Sequence, residues 1–144
     1  MSNDTLQKTI FLNASPDTVW EFLTDKDKLG LWFHPAQNNL QAGQDYALIA
    51  TDTEGNVDKI CWGKVLEMDA PNRLVMTFTV KPLGTNESTL IWSLESAHGG
   101  TRLSLEHSGL ASAAGAGPLP LLMAIDEGWD KHFAKLRTVA VTAA

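Results

Sequence analysis

The chain has a single cysteine, Cys61, in 144 residues, so no disulfide can close within it and a reducing compartment is the simpler expectation. It also lacks a basic excess. Lys and Arg number 11 against 17 Asp and Glu, a formal charge of −6 with no basic cluster, which argues against nucleic acid and anionic membranes as partners. No apolar run approaches the roughly 18 residues that a spanning helix needs. The opening MSNDTLQKT lacks the basic and then apolar pattern of a secretion signal. A cytoplasmic setting is the resulting expectation. Metal-ligand spacing is missing too: His34, His98, His107 and His132 make no HxH or HExxH, and Cys61 has no CxxC partner, so no metal is expected. There is no GxSxG elbow, and the glycines from Gly109 to Gly117 are not followed by the Lys and Ser or Thr of a phosphate loop. No cofactor is implied.

Tyrosine is scarce but other aromatics are not: five tryptophans and five phenylalanines are spread along the chain. The segment that organises them is Pro120 to Ala140, where Leu122, Ile125, Trp129, Phe133, Leu136 and Ala140 recur in steps of three and four and so share one stripe of an α-helix. About 20 residues at 1.5 Å each make a rod of roughly 30 Å. Gly128 sits at the margin of the stripe, where a missing side chain is expected to let the helix approach a sheet.

The rest of the chain reads mostly as strands. Leu6–Asn13 is the first. Ser15-Pro16-Asp17 then starts a short helix, with Ser15 as cap, Pro16 at the first helical position and Asp17 near the positive end of the dipole. Thr24-Asp25 begins a second, over Lys26 to Leu29, that delivers Leu31, Trp32 and Phe33 to a loop closed by Pro35. Further strands are expected at Gly43–Thr51, Lys59–Met68, Arg73–Val80, Ser88–Glu95 and Thr101–Ser108, separated by polar turns such as DTEGN and His98-Gly99-Gly100. Gly63 within the third suggests a bulge or a close approach by another element. Alternation puts Leu74, Met76, Phe78 and Val80 on one face, then Leu90, Trp92 and Leu94, then Leu103, Leu105 and His107. Gly109–Pro118 reads as a hinge or flap. The order predicts an α+β domain over 1–144: one antiparallel meander of about six or seven strands, two short helices after the first strand, and a long C-terminal helix. A curved sheet cannot touch a straight rod along its whole length, so space is expected near one end, and concave apolar sites with a few polar groups are the usual small-molecule sites.

ASPDTVWEFLTD, LWFHP, GKVLEMDAPNRLVMTF, STLIWSLESAHGGTRLSLEHSGL and the helix signature GW resemble, in this order, the START-like (SRPBCC) superfamily, and within it the activator of heat-shock-protein-90 ATPase homologues. The resemblance runs from about Leu6 to Ala140. It implies a helix-grip fold, a curved sheet around the C-terminal helix with a cavity between. It also implies a functional range from lipid and hormone carriers through polyketide cyclases and aromatases to co-chaperones of the stress response, the eukaryotic ones carrying an additional N-terminal domain.

The leading expectation is a binding protein for a hydrophobic or aromatic small molecule, with a ligand-binding set of Trp32, Phe33, Trp62, Met76, Phe78, Trp92, Leu105, His107, Leu122, Ile125 and Trp129. His107, on a strand face shared with Leu103 and Leu105, reads either as a satisfied core histidine or as a group presented to a ligand. An enzyme alternative, cyclase- or hydrolase-like, would use His107 and Asp126. A third reading is a protein-interaction module for a chaperone or another protein, which predicts a wide exposed apolar patch and a closed cavity; an exposed Trp32-Phe33 pair would point to a protein interface or dimer contact. Monomer and homodimer are both compatible with the sequence.

Overall fold

A computed structural model of the protein describes residues 5–80, 87–109 and 118–140; the side chains of Val80 and of residues 118–122 lie outside that description. Within it the strands are β1 (Leu6–Leu12), β2 (Asp45–Thr51), β3 (Val57–Asp69), β4 (Arg73–Val80), β5 (Ser88–Ala97) and β6 (Gly100–Ser108), and the helices are α1 (Pro16–Thr24), α2 (Lys26–Trp32) and α3 (Pro118–Val139). The six strands form one curved antiparallel sheet in the order β1-β6-β5-β4-β3-β2. From β2 to β6 it is the expected meander, and β1 returns to pair with β6, Leu6 opposite His107 and Leu12 opposite Thr101. The tight turn into β6 places His98 and Gly99 at φ 49° and 87°, the two left-handed residues of a primed hairpin turn. The proposed flap at Gly109–Pro118 falls largely outside the described residues.

The two short helices begin where their caps demand. Ser15 Oγ accepts from the Thr18 backbone N–H at 3.3 Å, and Asp25 Oδ1 accepts from the N–H groups of Asp27 and Lys28, both at 3.0 Å. The Lys28 N–H bond is the largest reason that the Asp25 carboxyl titrates below its ordinary range. The α2 helix differs from expectation. It continues past Gly30 to Trp32, because Leu29 and Trp32, three residues apart, are both buried on its inner side, and the Trp32 indole N–H donates to the Phe22 carbonyl at 2.8 Å. Trp32 is therefore a core residue at 1% exposure rather than a loop side chain.

β3 is the irregular strand. Leu48 lies opposite Cys61 but Ile49 opposite Lys59, and Val65 lies opposite Met76 but Glu67 opposite Val75, so Ile60 and Leu66 are each an extra residue in the ladder. Gly63 stands between these bulges and is itself a close approach: a Cβ there would lie 2.2 Å from the Thr77 carbonyl oxygen and 2.7 Å from its Oγ1. Thr77 is held in place, since its Oγ1 accepts from the Lys64 N–H at 2.8 Å and its carbonyl accepts from the Tyr46 hydroxyl. Gly63→Ala must spread β3 from β4, and overpacking of this kind costs about 2 kcal/mol, to be read from the urea midpoint.

The sheet's concave face and α3 enclose a cluster of rings. Trp129 and Phe133 of α3 stack at 5.6 Å between centroids, Trp129 meets Trp92 of β5 edge-on at 5.6 Å, and Trp92 meets Trp32 edge-on at 6.1 Å. Such offset and edge geometries are the favoured ones for aromatic pairs. Together they fill the middle of the grip. The void left beside Trp32, Met76 and Trp92 is about 10 Å³, room for one water at most. On the β1 side, Lys8 pairs with both Asp126 and Asp130, tying α3 to the sheet's edge.

Candidate functional site

Space opens beside the ring cluster, not within it. A pocket of about 200 Å³ lies between α3, β3, β4 and the chain just after α2, lined by Phe33, His34, Cys61, Phe78, Ala124, Ile125, Gly128, Trp129 and His132. Its floor is the buried trio Cys61, Phe78 and Trp129, and its half-buried rim includes Phe33, His34, Ile125 and His132. Phe33 joins the pocket to the core, lying 5.4 Å from Trp32 and 5.2 Å from Trp129 between ring centroids.

The missing side chain of Gly128 has the opposite role to the one its place on the helix suggests. Among the described residues, a Cβ there would meet nothing within 4 Å. The glycine does not bring α3 down onto the sheet; it leaves one wall of the pocket without a side chain. Trp129 follows it directly and turns its indole into the pocket floor.

The polar groups are few. The His132 Nδ1 lies 3.2 Å from the Trp32 carbonyl oxygen, and because a carbonyl can only accept, Nδ1 carries the proton. The His34 ring sits 5.5 Å from that of His132. Burial lowers the pKa of both imidazoles; at His34 the neighbouring His132 and then Lys135 lower it further, and at His132 the bond to the Trp32 carbonyl, which favours the cation, offsets only part of the lowering by burial and Lys135. Near neutral pH they are uncharged. Burial also pushes the Cys61 thiol up to about 12, so it stays protonated and is a poor nucleophile.

His107 lies elsewhere. It is fully buried, and both its ring nitrogens are engaged: the Trp129 indole N–H donates to Nδ1 at 3.1 Å, and Nε2 lies 2.7 Å from Ser88 Oγ. The indole can only donate, so Nδ1 is the acceptor and Nε2 bears the proton. Ser88 Oγ accepts from it and donates to the Phe78 carbonyl at 2.9 Å. Every donor and acceptor in this chain is matched, and burial lowers the His107 pKa to about 4. Asp126, the other residue of the enzyme alternative, is turned to Lys8 on β1 and not into the pocket.

Of the residues expected to line a site, the fold brings Phe33, Phe78, Ile125 and Trp129 to the pocket, while Trp32, Met76 and Trp92 surround the small core void. Leu105 and His107 are core residues. Trp62 is not at this pocket: Cys61 faces inward and Trp62 the other way, into a separate, more polar pocket of about 450 Å³ beside Lys59, Lys64 and Glu87. The Leu122 side chain lies outside the described residues. Sequence reasoning did not assign His34, Cys61, Ala124, Gly128 or His132 to the site. A usable signal existed for two of them, since Gly128 and His132 are four residues apart on the margin of the apolar stripe and so share a helix face.

No helix among the described residues is long and apolar enough to cross a membrane, and no group of three or more potential metal ligands occurs among them. No curated protein matches the sequence. Solved structures do match in shape. CV1439 from Chromobacterium violaceum superposes with a TM-score of 0.79 at 18% identity, covering 99% of this chain and 100% of that one. CalU16 from Micromonospora echinospora gives 0.71 at 24% identity, over 94% of this chain and 75% of that one. DynU16, a protein in the dynemicin biosynthetic locus, gives 0.76 at 20% identity, over 95% of this chain and 47% of that one. At these identities the likeness is one of fold, a helix-grip fold shared along nearly the whole chain. The sequence itself matches the family described as "Activator of Hsp90 ATPase homolog 1-like protein" over residues 13–140, and with that span the chain belongs to this START-like family.

Proposed function

We propose that the protein binds a small, flat, largely apolar molecule in the pocket at Gly128, as a single helix-grip unit in the cytoplasm. The observation that carries this reading is the combination of an unfilled glycine position with a buried aromatic floor: Gly128 faces open space while Phe78 and Trp129 lie beneath it. The fold family is consistent with ligand binding, as is the place of DynU16 in the dynemicin biosynthetic locus. An aromatic ring buries roughly 200 Å², which at about 25 cal/mol per Å² is worth about 5 kcal/mol before the cost of association. About 5 kcal/mol corresponds to a Kd of about 0.2 mM, so once the cost of association is taken off a one-ring ligand is expected to bind at millimolar concentration or weaker, and only a larger one more tightly.

The test is to fill the space. Gly128→Leu puts a branched side chain where no described residue now stands within 4 Å. It is expected to abolish the thermal shift that wild-type protein gives with aromatic fragments, while the variant's own Tm is held or raised by the better helix former. Native mass spectrometry of freshly purified protein supplies a second readout, a copurified small molecule that the leucine variant lacks. A leucine variant that still shows the fragment shifts would overturn the assignment of this pocket.

The chaperone-binding reading is less well supported. The Trp32-Phe33 pair that would have served as its contact is packed inward, with Trp32 buried and Phe33 half-buried. The enzyme reading has its two residues engaged elsewhere, His107 in the core and Asp126 with Lys8.

A further inference from the structure

We propose that the pocket takes a phenol, a single-ring aromatic whose hydroxyl donates to Nε2 of His132 while its ring lies against Trp129 and Phe78. This rests on the small-molecule reading above and adds the ligand's polar end. The Trp32 carbonyl fixes the His132 tautomer with the proton on Nδ1, so in the neutral ring Nε2 is a bare lone pair. Nε2 makes no hydrogen bond with any described residue. It belongs to a half-buried side chain at the rim of a pocket whose other polar lining groups, among the described residues, are the His34 imidazole and the Cys61 thiol. An apolar guest would strip water from that nitrogen and return nothing, whereas a hydroxyl restores the bond.

Other polar ends fit less well. The lining holds no carboxylate to pair with an amine, and Lys135 already disfavours positive charge at both imidazoles. A ligand carboxylate needs several donors, and with the His132 N–H committed to Trp32 the lining imidazoles offer only the single N–H of neutral His34. The other titratable lining groups are His34, from the chain after α2, which burial keeps neutral, and Cys61 of β3, which burial keeps protonated. The size fits as well: an engineered cavity of about 150 Å³ holds benzene, and this pocket is about 200 Å³.

The experiment compares p-cresol with p-xylene by ligand-observed NMR titration of the full chain at pH 7.5. Methyl and hydroxyl are nearly isosteric and p-xylene is the more hydrophobic, so transfer from water alone favours p-xylene. Wild type is expected to bind p-cresol about tenfold more tightly, the value of one well-formed hydrogen bond. His132→Phe is expected to bring the ratio to one or below, and His132→Gln, which keeps an acceptor, to restore part of it. Equal or tighter binding of p-xylene by wild type, or an unchanged preference in His132→Phe, overturns the phenol inference and leaves the small-molecule reading standing. Binding of neither compound at millimolar concentration overturns both.

Discussion

Trp129→Ala is expected to remove about 5 kcal/mol of stability, enough to leave a domain of ordinary stability partly unfolded at room temperature. Two losses add. The first is packing: the indole is 3% exposed and touches Trp92, Phe78, Phe133 and Phe33 at centroid separations of 5.2 to 6.2 Å. Truncating a residue so enclosed costs about 3–5 kcal/mol where the surroundings cannot collapse. The second is electrostatic, because without the indole N–H the buried His107 Nδ1 has no donor, at a cost of about 1–3 kcal/mol. Trp129→Phe separates the two. It keeps most of the ring volume and removes only the donor, so it should lose about 2 kcal/mol in urea titrations monitored by far-UV circular dichroism. A phenylalanine variant as stable as wild type would mean that the imidazole is not held through its Nδ1.

Much of this architecture could be read from the chain, and the places where reading fails have definite physical causes. β4, β5 and β6 alternate cleanly because one face is buried along their length, and Leu74, Trp92 and Leu103 fall on that face as their spacing requires. The steps of three and four in α3 likewise select Trp129, Phe133 and Leu136 for burial. Trp62 was unreadable for the converse reason. Ile60, Cys61 and Trp62 form an apolar run with no visible phase, and each bulge in β3 shifts the alternation by one residue. Which of the three faces the core depends on a ladder irregularity that leaves no trace in composition. At Gly128, a glycine on the margin of a helical stripe signals either close contact or a gap, and the two differ only in what the opposing strands place there. The curved sheet around a long closing helix was thus legible in sequence, but the gap that Gly128 leaves beside it was not.

His107 shows the same limit and yields the second large effect, a dependence of stability on pH. Its strand face was legible. Its role was not, because that depends on an indole 22 residues later and a hydroxyl 19 residues earlier. In the fold the imidazole titrates near 4, because burial disfavours its cation, whereas an unfolded chain leaves it near the ordinary 6.5. Between those values the unfolded state holds a proton that the folded state refuses, so stability rises with pH across the window and falls on acidification from 6.5 towards 4. Two and a half pH units at 1.36 kcal/mol each amount to about 3 kcal/mol, fully present above 6.5 and lost by about pH 4. His34 and His132, also lowered, act in the same direction. The control is His107→Gln, whose amide can both accept from Trp129 and donate to Ser88 while carrying no titratable proton. Denaturation free energies at pH 7 and pH 4 should then drop by about 3 kcal/mol more in wild type than in the glutamine variant. Parallel pH curves would mean that the ring already carries a proton in the folded state. In that state Nδ1–H would face the Trp129 N–H, donor against donor, and the polar chain from Trp129 through His107 and Ser88 to Phe78 would not be the one described.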